Sequence, residues 1–292
     1  MMRTHSLALC VLLAMPGTAL AAPQSFNTAL PVSEGQWLLR GQGIVGEFNT
    51  VDGGELSVRG GLGVVAYGVT SDLTVFAALP YWFRNLSGPG DAAVRETDGI
   101  GDLRLFARYT FWQRDGHGST LRLAGFAGAE LPSGAHRRSD SEGLLPPPVQ
   151  PGSGSIDPFF GSTLTWQSLD VVFDAQLAWQ ENTRRGGFAA GDRFQADISA
   201  QYRLLPRELG GGVPGFLYGG LEVNFLAESD RVATGAPLPA TDRRRLLLSP
   251  GLQYVTRRYV LEAQLQLPVW QTGGSNRLRE DFTLRAGFRI NF

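Results

Sequence analysis

"EDFTLRAGFRINF", residues 280–292, is the last stretch of the chain. Apolar residues fall at every second position, Phe282, Leu284, Ala286, Phe288, Ile290 and Phe292, with Thr283, Arg285, Gly287, Arg289 and Asn291 between them. A period of two is that of a strand with two chemically different faces. In a soluble sandwich the apolar face would sit on a core and the polar face in water. In a transmembrane barrel the apolar face meets lipid and the polar face a watery lumen. The rest of the chain decides between the two.

The same alternation recurs in twelve segments, roughly 36–46, 55–69, 73–85, 100–113, 119–132, 156–167, 169–182, 192–204, 214–228, 243–256, 259–271 and 280–292. Short links, at 70–72, 113–118, 168 and 257–258, alternate with longer ones at 47–54, 86–99, 133–155, 183–191, 229–242 and 272–279, the medium link 205–213 being an exception in the short series. Turns on one side and loops on the other are the pattern of an outer-membrane barrel, the turns being periplasmic, and an even strand count puts both ends of the barrel there. Segment 192–204 sets Phe194, Ala196, Ile198, Ala200, Tyr202 and Leu204 against Arg193, Gln195, Asp197, Ser199, Gln201 and Arg203. An arginine on the lipid face at the bilayer midplane costs about 2–4 kcal/mol, so the arginine-bearing face is the lumen face. Leu103, Leu105, Phe194, Ile198, Leu265 and Phe288 are then outward. Trp37, Trp112 and Trp166 fall at the periplasmic ends of segments and Trp82, Trp179 and Trp270 toward the outer ends, as two interfacial belts. The expected fold is an all-β transmembrane antiparallel barrel of about twelve strands.

The chain ends fit export and closure. Arg3, the apolar run Leu7–Ala14, the break at Pro16-Gly17 and the A-x-A sequence at 19–21 read as a signal peptide over residues 1–21. Residues 22–35 are then a periplasmic N-terminal segment and 36–292 the barrel. The only cysteine, Cys10, lies in the signal, so the exported chain has no thiol chemistry. All 26 basic residues are arginine, and the net charge of -1 speaks against a nucleic-acid surface. A closed barrel needs its last strand paired with its first. A terminal strand carrying Phe288, Ile290 and Phe292 also resembles the signal read by the barrel assembly machinery of the outer membrane.

Four stretches, "AYGVTSDLTVFAALPY" (66–81), "DGIGDLRLFARYTF" (98–111), "AELPSG" (129–134) and "GSGSIDPFFGSTLTW" (152–166), resemble the MetA-pathway-of-phenol-degradation family of outer-membrane proteins. Ser133 stands where that family usually has threonine, and a proline-rich insert, "LLPPPVQPG" (144–152), lengthens the third outer loop. The resemblance implies uptake of aromatic or other hydrophobic compounds.

Parity places Arg40, Arg59, Arg104, Arg108, Arg122, Arg285 and Arg289 inward on strands around the seam. Asp174, Asp197 and Glu222 point inward on the opposite wall, while Arg203 and Glu262 break the segregation. A basic wall facing an acidic one gives a transverse field for solutes; internal ion pairing that fills a narrow barrel is the alternative. Twelve strands about 4.8 Å apart and tilted about 40° enclose a backbone radius of roughly 12 Å, so a narrow or gated passage is expected. At the predicted outer rim, Arg137-Arg138, Arg184-Arg185 and Arg243-Arg244-Arg245 are either solvated loop charge or contacts to lipopolysaccharide phosphates. Catalysis would need a histidine beside a serine or carboxylate. His117 sits in a turn, and His136 lies near Ser133, Ser139, Asp140 and Glu142. No His/Cys cluster offers a metal site, and no cofactor is implied. The best reading is an outer-membrane channel for small solutes, with a non-conducting structural or lipopolysaccharide-interacting barrel second and a surface hydrolase third. Its partners are then membrane lipid, lipopolysaccharide, the assembly machinery and the solute.

Overall fold

The computed structural model describes residues 21–50, 52–89, 93–209, 212–233, 236–237, 240–275 and 278–292. The signal peptide expected at 1–21 lies, apart from Ala21, outside them. Twelve antiparallel strands close into a barrel. They are β1 (Trp37–Asn49), β2 (Glu55–Gly68), β3 (Leu73–Ser87), β4 in two pieces (Arg95–Ile100 and Leu103–Gly116), β5 (Ser119–Leu131), β6 (Asp157–Ser168), β7 (Val171–Gln180), β8 (Arg193–Leu205), β9 (Phe216–Glu228), β10 (Arg243–Val255), β11 (Tyr259–Gly273) and β12 (Arg279–Asn291). Each strand pairs with its neighbours in sequence, and β1 pairs with β12, from Leu38 opposite Asn291 to Asn49 opposite Arg279. The terminal phenylalanine completes that seam: Trp37 N donates to Phe292 O at 2.7 Å and Phe292 N to Trp37 O at 3.0 Å. The barrel sheet itself is left with no open edge to pair with another chain.

The exterior is the apolar face of the alternation. Leu105, Ile198 and Phe288 are exposed on it, as are Val65, Leu177, Leu221, Leu252 and Leu261. A surface of this kind is stable only against hydrocarbon, which is the physical sign of a membrane barrel. Trp37, Trp112, Trp179 and Trp270 are exposed outside. Trp82 corrects the two-belt expectation, because it shares a parity with Pro80 and Arg84 and lines the interior, while Tyr81 and Phe83 hold the outward positions. Arg59 likewise corrects the inward set: it is exposed, and it alternates with the inward pair Leu56 and Val58 through the outward Ser57.

β4 begins five residues earlier than its alternation suggested, because the ladder to β3 resumes above a break at Gly101-Asp102. Asp102 leaves the ladder to hold the longest outer loop, 132–156. Its carboxylate accepts Gly134 N at 2.9 Å, Ser153 N at 2.6 Å and the Ser153 hydroxyl at 2.7 Å. The loop folds inward through the 3₁₀ turn Pro147–Val149. Leu145 and Val149 bury against Leu56, with Phe48, Val58, Leu86 and Leu278 packed around them. Arg84 donates to the carbonyls of Pro148 at 3.3 Å and Gln150 at 2.5 Å. The loop therefore shapes the mouth. Deleting 143–152 should leave the barrel heat-modifiable on gels and enlarge the conductance of any open state; an unchanged conductance in a well-assembled deletion would reduce the loop to surface decoration.

Candidate functional site

Of the segment expected to be periplasmic, 22–35, only 33–35 are exposed, beside Gly68 at the end of β2; residues 22–32 overturn the expectation. They cross the periplasmic half of the lumen in irregular backbone. Irregular backbone inside a barrel must have its polar groups matched by lumen side chains. The alternation rule cannot place such a segment, since it has no period. Anchors come from β1, β3, β4, β6, β7, β9 and β10. Ala22 N donates to Gln253 Oε1 at 3.2 Å and Gln24 N to Glu222 Oε1 at 2.7 Å, and the Ser25 hydroxyl bonds the other Glu222 oxygen. Asn27 N donates to Gln176 Oε1 at 3.1 Å, Ala29 N to Thr165 Oγ1 at 2.8 Å and Val32 N to Thr74 Oγ1 at 3.0 Å. Three of its carbonyls are met from β1 and β4: Gln24 O accepts from Arg40 at 2.8 Å and Gln42 at 3.0 Å, Ala29 O from Thr110 at 3.0 Å, and Leu30 O from Arg108 at 2.5 Å. Ala21 completes a buried apolar cluster with Val172, Tyr218, Val255 and Val260 at the periplasmic ends of the strands.

A cavity of about 1160 Å³ is lined by this segment, the barrel wall and the inward-folded outer loop. Its wall is chemically split. On β3 to β6, Phe76, Phe106, Phe126 and Phe159 all face it. Phe76 and Phe106 stack with parallel planes at 4.4 Å, and Phe126 and Phe159 meet Phe106 edge-on at 6.4 and 5.8 Å. Two glycines make this possible. A Cβ at Gly128 would stand 2.4 Å from Phe106 Cβ, and one at Gly161 2.4 Å from the Phe126 ring. A side chain at either position would push the rings off the wall. On β7 to β12 the inward residues are instead mostly polar or charged, Gln, Asn, Ser, Thr, Asp, Glu and Arg.

The structure brings most of the sequence-predicted residues together, in a role other than a bare electric field. Arg40, Arg108 and Glu222 bind the crossing segment directly. Glu262 accepts from Arg40 at 2.6 Å and Gln42 at 2.8 Å and so orients both. Asp174 accepts from Thr165 at 2.5 Å, and Asp197 from Gln176 at 3.1 Å and Asn224 at 2.9 Å, each one step behind an anchor. Arg285 donates to Gln266 at 2.8 Å and, with Arg289, lines the cavity. Arg104 stands over Phe159, 4.3 Å from the ring centroid. Arg122 stands apart at the periplasmic end, 4.0 Å from Asp115. Arg243 and Arg245 correct the outer-rim reading of that triplet: they point inward, Arg243 paired with Glu228 at 2.5 Å and Arg245 with Glu280. Arg137 and Arg185 line the cavity as well. The four phenylalanines were the residues that alternation missed. Their signal was present, since Phe76, Phe106 and Phe126 share the parity of inward arginines on their own strands, and Phe159 that of Asp157, Thr163 and Thr165, so that all four break the polar-inside rule.

Around His136 the neighbouring groups are engaged elsewhere. The Ser133 hydroxyl donates to Gly101 O at 3.0 Å and accepts from Leu103 N at 2.8 Å. Asp140 pairs with Arg95 at 2.5 Å, which holds its carboxyl below the usual carboxylate range.

A closed twelve-stranded barrel with an apolar exterior, a polar and aromatic interior and segregated loops defines an outer-membrane β-barrel protein. The family described as "Putative MetA-pathway of phenol degradation" matches residues 41–281, and the chain belongs to it. Among solved structures, a COG4313 outer membrane channel from Pseudomonas putida F1 is similar at 16% identity and a TM-score of 0.67, over 94% of this chain and 100% of that one. The β-domain of the Bordetella autotransporter BrkA is similar at 14% identity and a TM-score of 0.50, over 89% of this chain and 100% of that one. No curated protein sequence matches the chain.

Proposed function

We propose that the protein is a passive outer-membrane channel for small aromatic or hydrophobic solutes, not an enzyme, and that the structure is its closed state. The carrying observation is the cavity of about 1160 Å³ that leads from an inward-folded outer loop to a lumen-crossing segment held by side chains alone. A purely structural barrel needs no such arrangement. A segment held by individual hydrogen bonds, each worth about 0.5–1.5 kcal/mol net, can be displaced without breaking the wall. The four-ring wall favours planar apolar solutes, and the family description fits that class. The test is flux into proteoliposomes. Phenol should enter faster than a sugar of similar size through the full-length protein; entry no faster than into protein-free vesicles, both for this protein and for a variant lacking residues 23–33, would overturn the reading.

The terminal strand carries a second, independent expectation, that Phe288, Ile290 and Phe292 are read by the barrel assembly machinery. Removing Phe292 costs the seam one reciprocal pair of backbone bonds with Trp37. The assembled, heat-modifiable form should fall severalfold in the outer membrane while export across the inner membrane continues. Normal assembled levels would count against the signal.

A further inference from the structure

Twelve arginines and four carboxylates line the cavity among the described residues. That excess is unusual beside an aromatic wall, because apolar solutes gain nothing from it. On β4, Arg104, Phe106 and Arg108 face inward in succession, so the aromatic patch carries a guanidinium at each end. Arg108 lies 4.8 Å from the Phe76 ring centroid and is committed to Leu30 O. Arg104 lies over Phe159 at the outer end and is less committed. One of its terminal nitrogens donates to Gln180 at 3.1 Å, and its Nε is 3.6 Å from Glu130, a long contact for an ion pair. Its side chain is 37% exposed, toward the cavity it lines. A guanidinium has five donors in a planar fork suited to a carboxylate. Arg104 therefore keeps donors for an incoming anion.

We propose that the rings of Phe106, Phe126 and Phe159 together with the Arg104 guanidinium form a binding site for a small aromatic anion, a benzoate-like carboxylate. The ring is received by the phenylalanines through edge and face contacts. The carboxylate is received by Arg104, which already lies on Phe159 and so enters with little freedom to lose. The inference rests on the channel reading and narrows its solute class from aromatic to aromatic and anionic.

Calorimetric titration of the full-length protein in detergent tests it, with benzoate, benzyl alcohol and acetate as probes. Benzoate should bind at least tenfold more tightly than benzyl alcohol, which has the ring without the charge. Acetate, with the charge but no ring, should show no saturable binding. Arg104→Gln should remove the preference, so that benzoate binds the variant no more tightly than benzyl alcohol does. Phe159→Leu should weaken both aromatic probes, and heat-modifiability on gels confirms that each variant is folded. Equal affinity for benzoate and benzyl alcohol, an Arg104→Gln variant that keeps the preference, or no benzoate binding would each overturn the site. Phenol flux through the protein without benzoate binding would sink this proposal and leave the channel standing; no flux through either the full-length protein or the variant lacking residues 23–33 would sink the channel itself.

Discussion

In planar bilayers, a variant lacking residues 23–33 should show a steady conductance severalfold larger than that of the full-length protein. The barrel itself does not depend on the segment, since β1 pairs with β2 and β12 along its whole length. Removing the segment leaves Glu222, Gln176, Thr165 and Gln42 without their partners, but in a lumen that water then enters, so no buried polar group is stranded. Single anchors should act in the same direction with smaller effect. Arg108→Ala removes a charged donor to Leu30 O, and hydrogen bonds to charged groups contribute about 1.5–3 kcal/mol. If that bond exists only in the closed state, its loss moves the closed-to-open ratio by about 10- to 100-fold. Glu222→Ala removes the acceptor for Gln24 N and for the Ser25 hydroxyl, and should act similarly. Equal conductance of the full-length protein and the deletion, both well assembled, would mean that the segment is a liner of the lumen and not its gate.

The open state of the same variant should be anion-selective. The arginine excess along the cavity is the reason. At physiological salt the screening length is about 8 Å, comparable with the half-width of a lumen whose backbone radius is roughly 12 Å before side chains fill it. Fixed charge on the wall is therefore felt across the passage. In a salt gradient the reversal potential should take the sign of anion permeation, and Arg104→Ser with Arg285→Ser should shift it toward cations. These two suit the test because neither holds the crossing segment: Arg104 contacts Gln180 and Glu130, and Arg285 contacts Gln266. A reversal potential that stays put in a conducting barrel would make these arginines structural partners of the polar wall.

What the sequence determined by itself was the barrel. A period of two repeated twelve times, arginine gathered mainly on one parity and loops sorted by length are all local properties, readable without knowing which residues meet. They fix lipid and lumen faces because hydrocarbon penalises any other assignment. The closing role of Phe292 followed from the same logic. Only the tertiary structure decided the contents of the lumen. Residues 22–33 have no period, and their place inside depends on side chains from β3, β4, β6, β7, β9 and β10, brought together only by closure. The direction of Phe76, Phe106, Phe126 and Phe159 is implicit in the parity of their strands, but a polar-inside rule passes over them, and their meeting on one wall depends on strand register and on the glycines at 128 and 161. Direction is a property of one residue in one strand; adjacency across strands is a property of register and curvature, which the closed barrel alone sets.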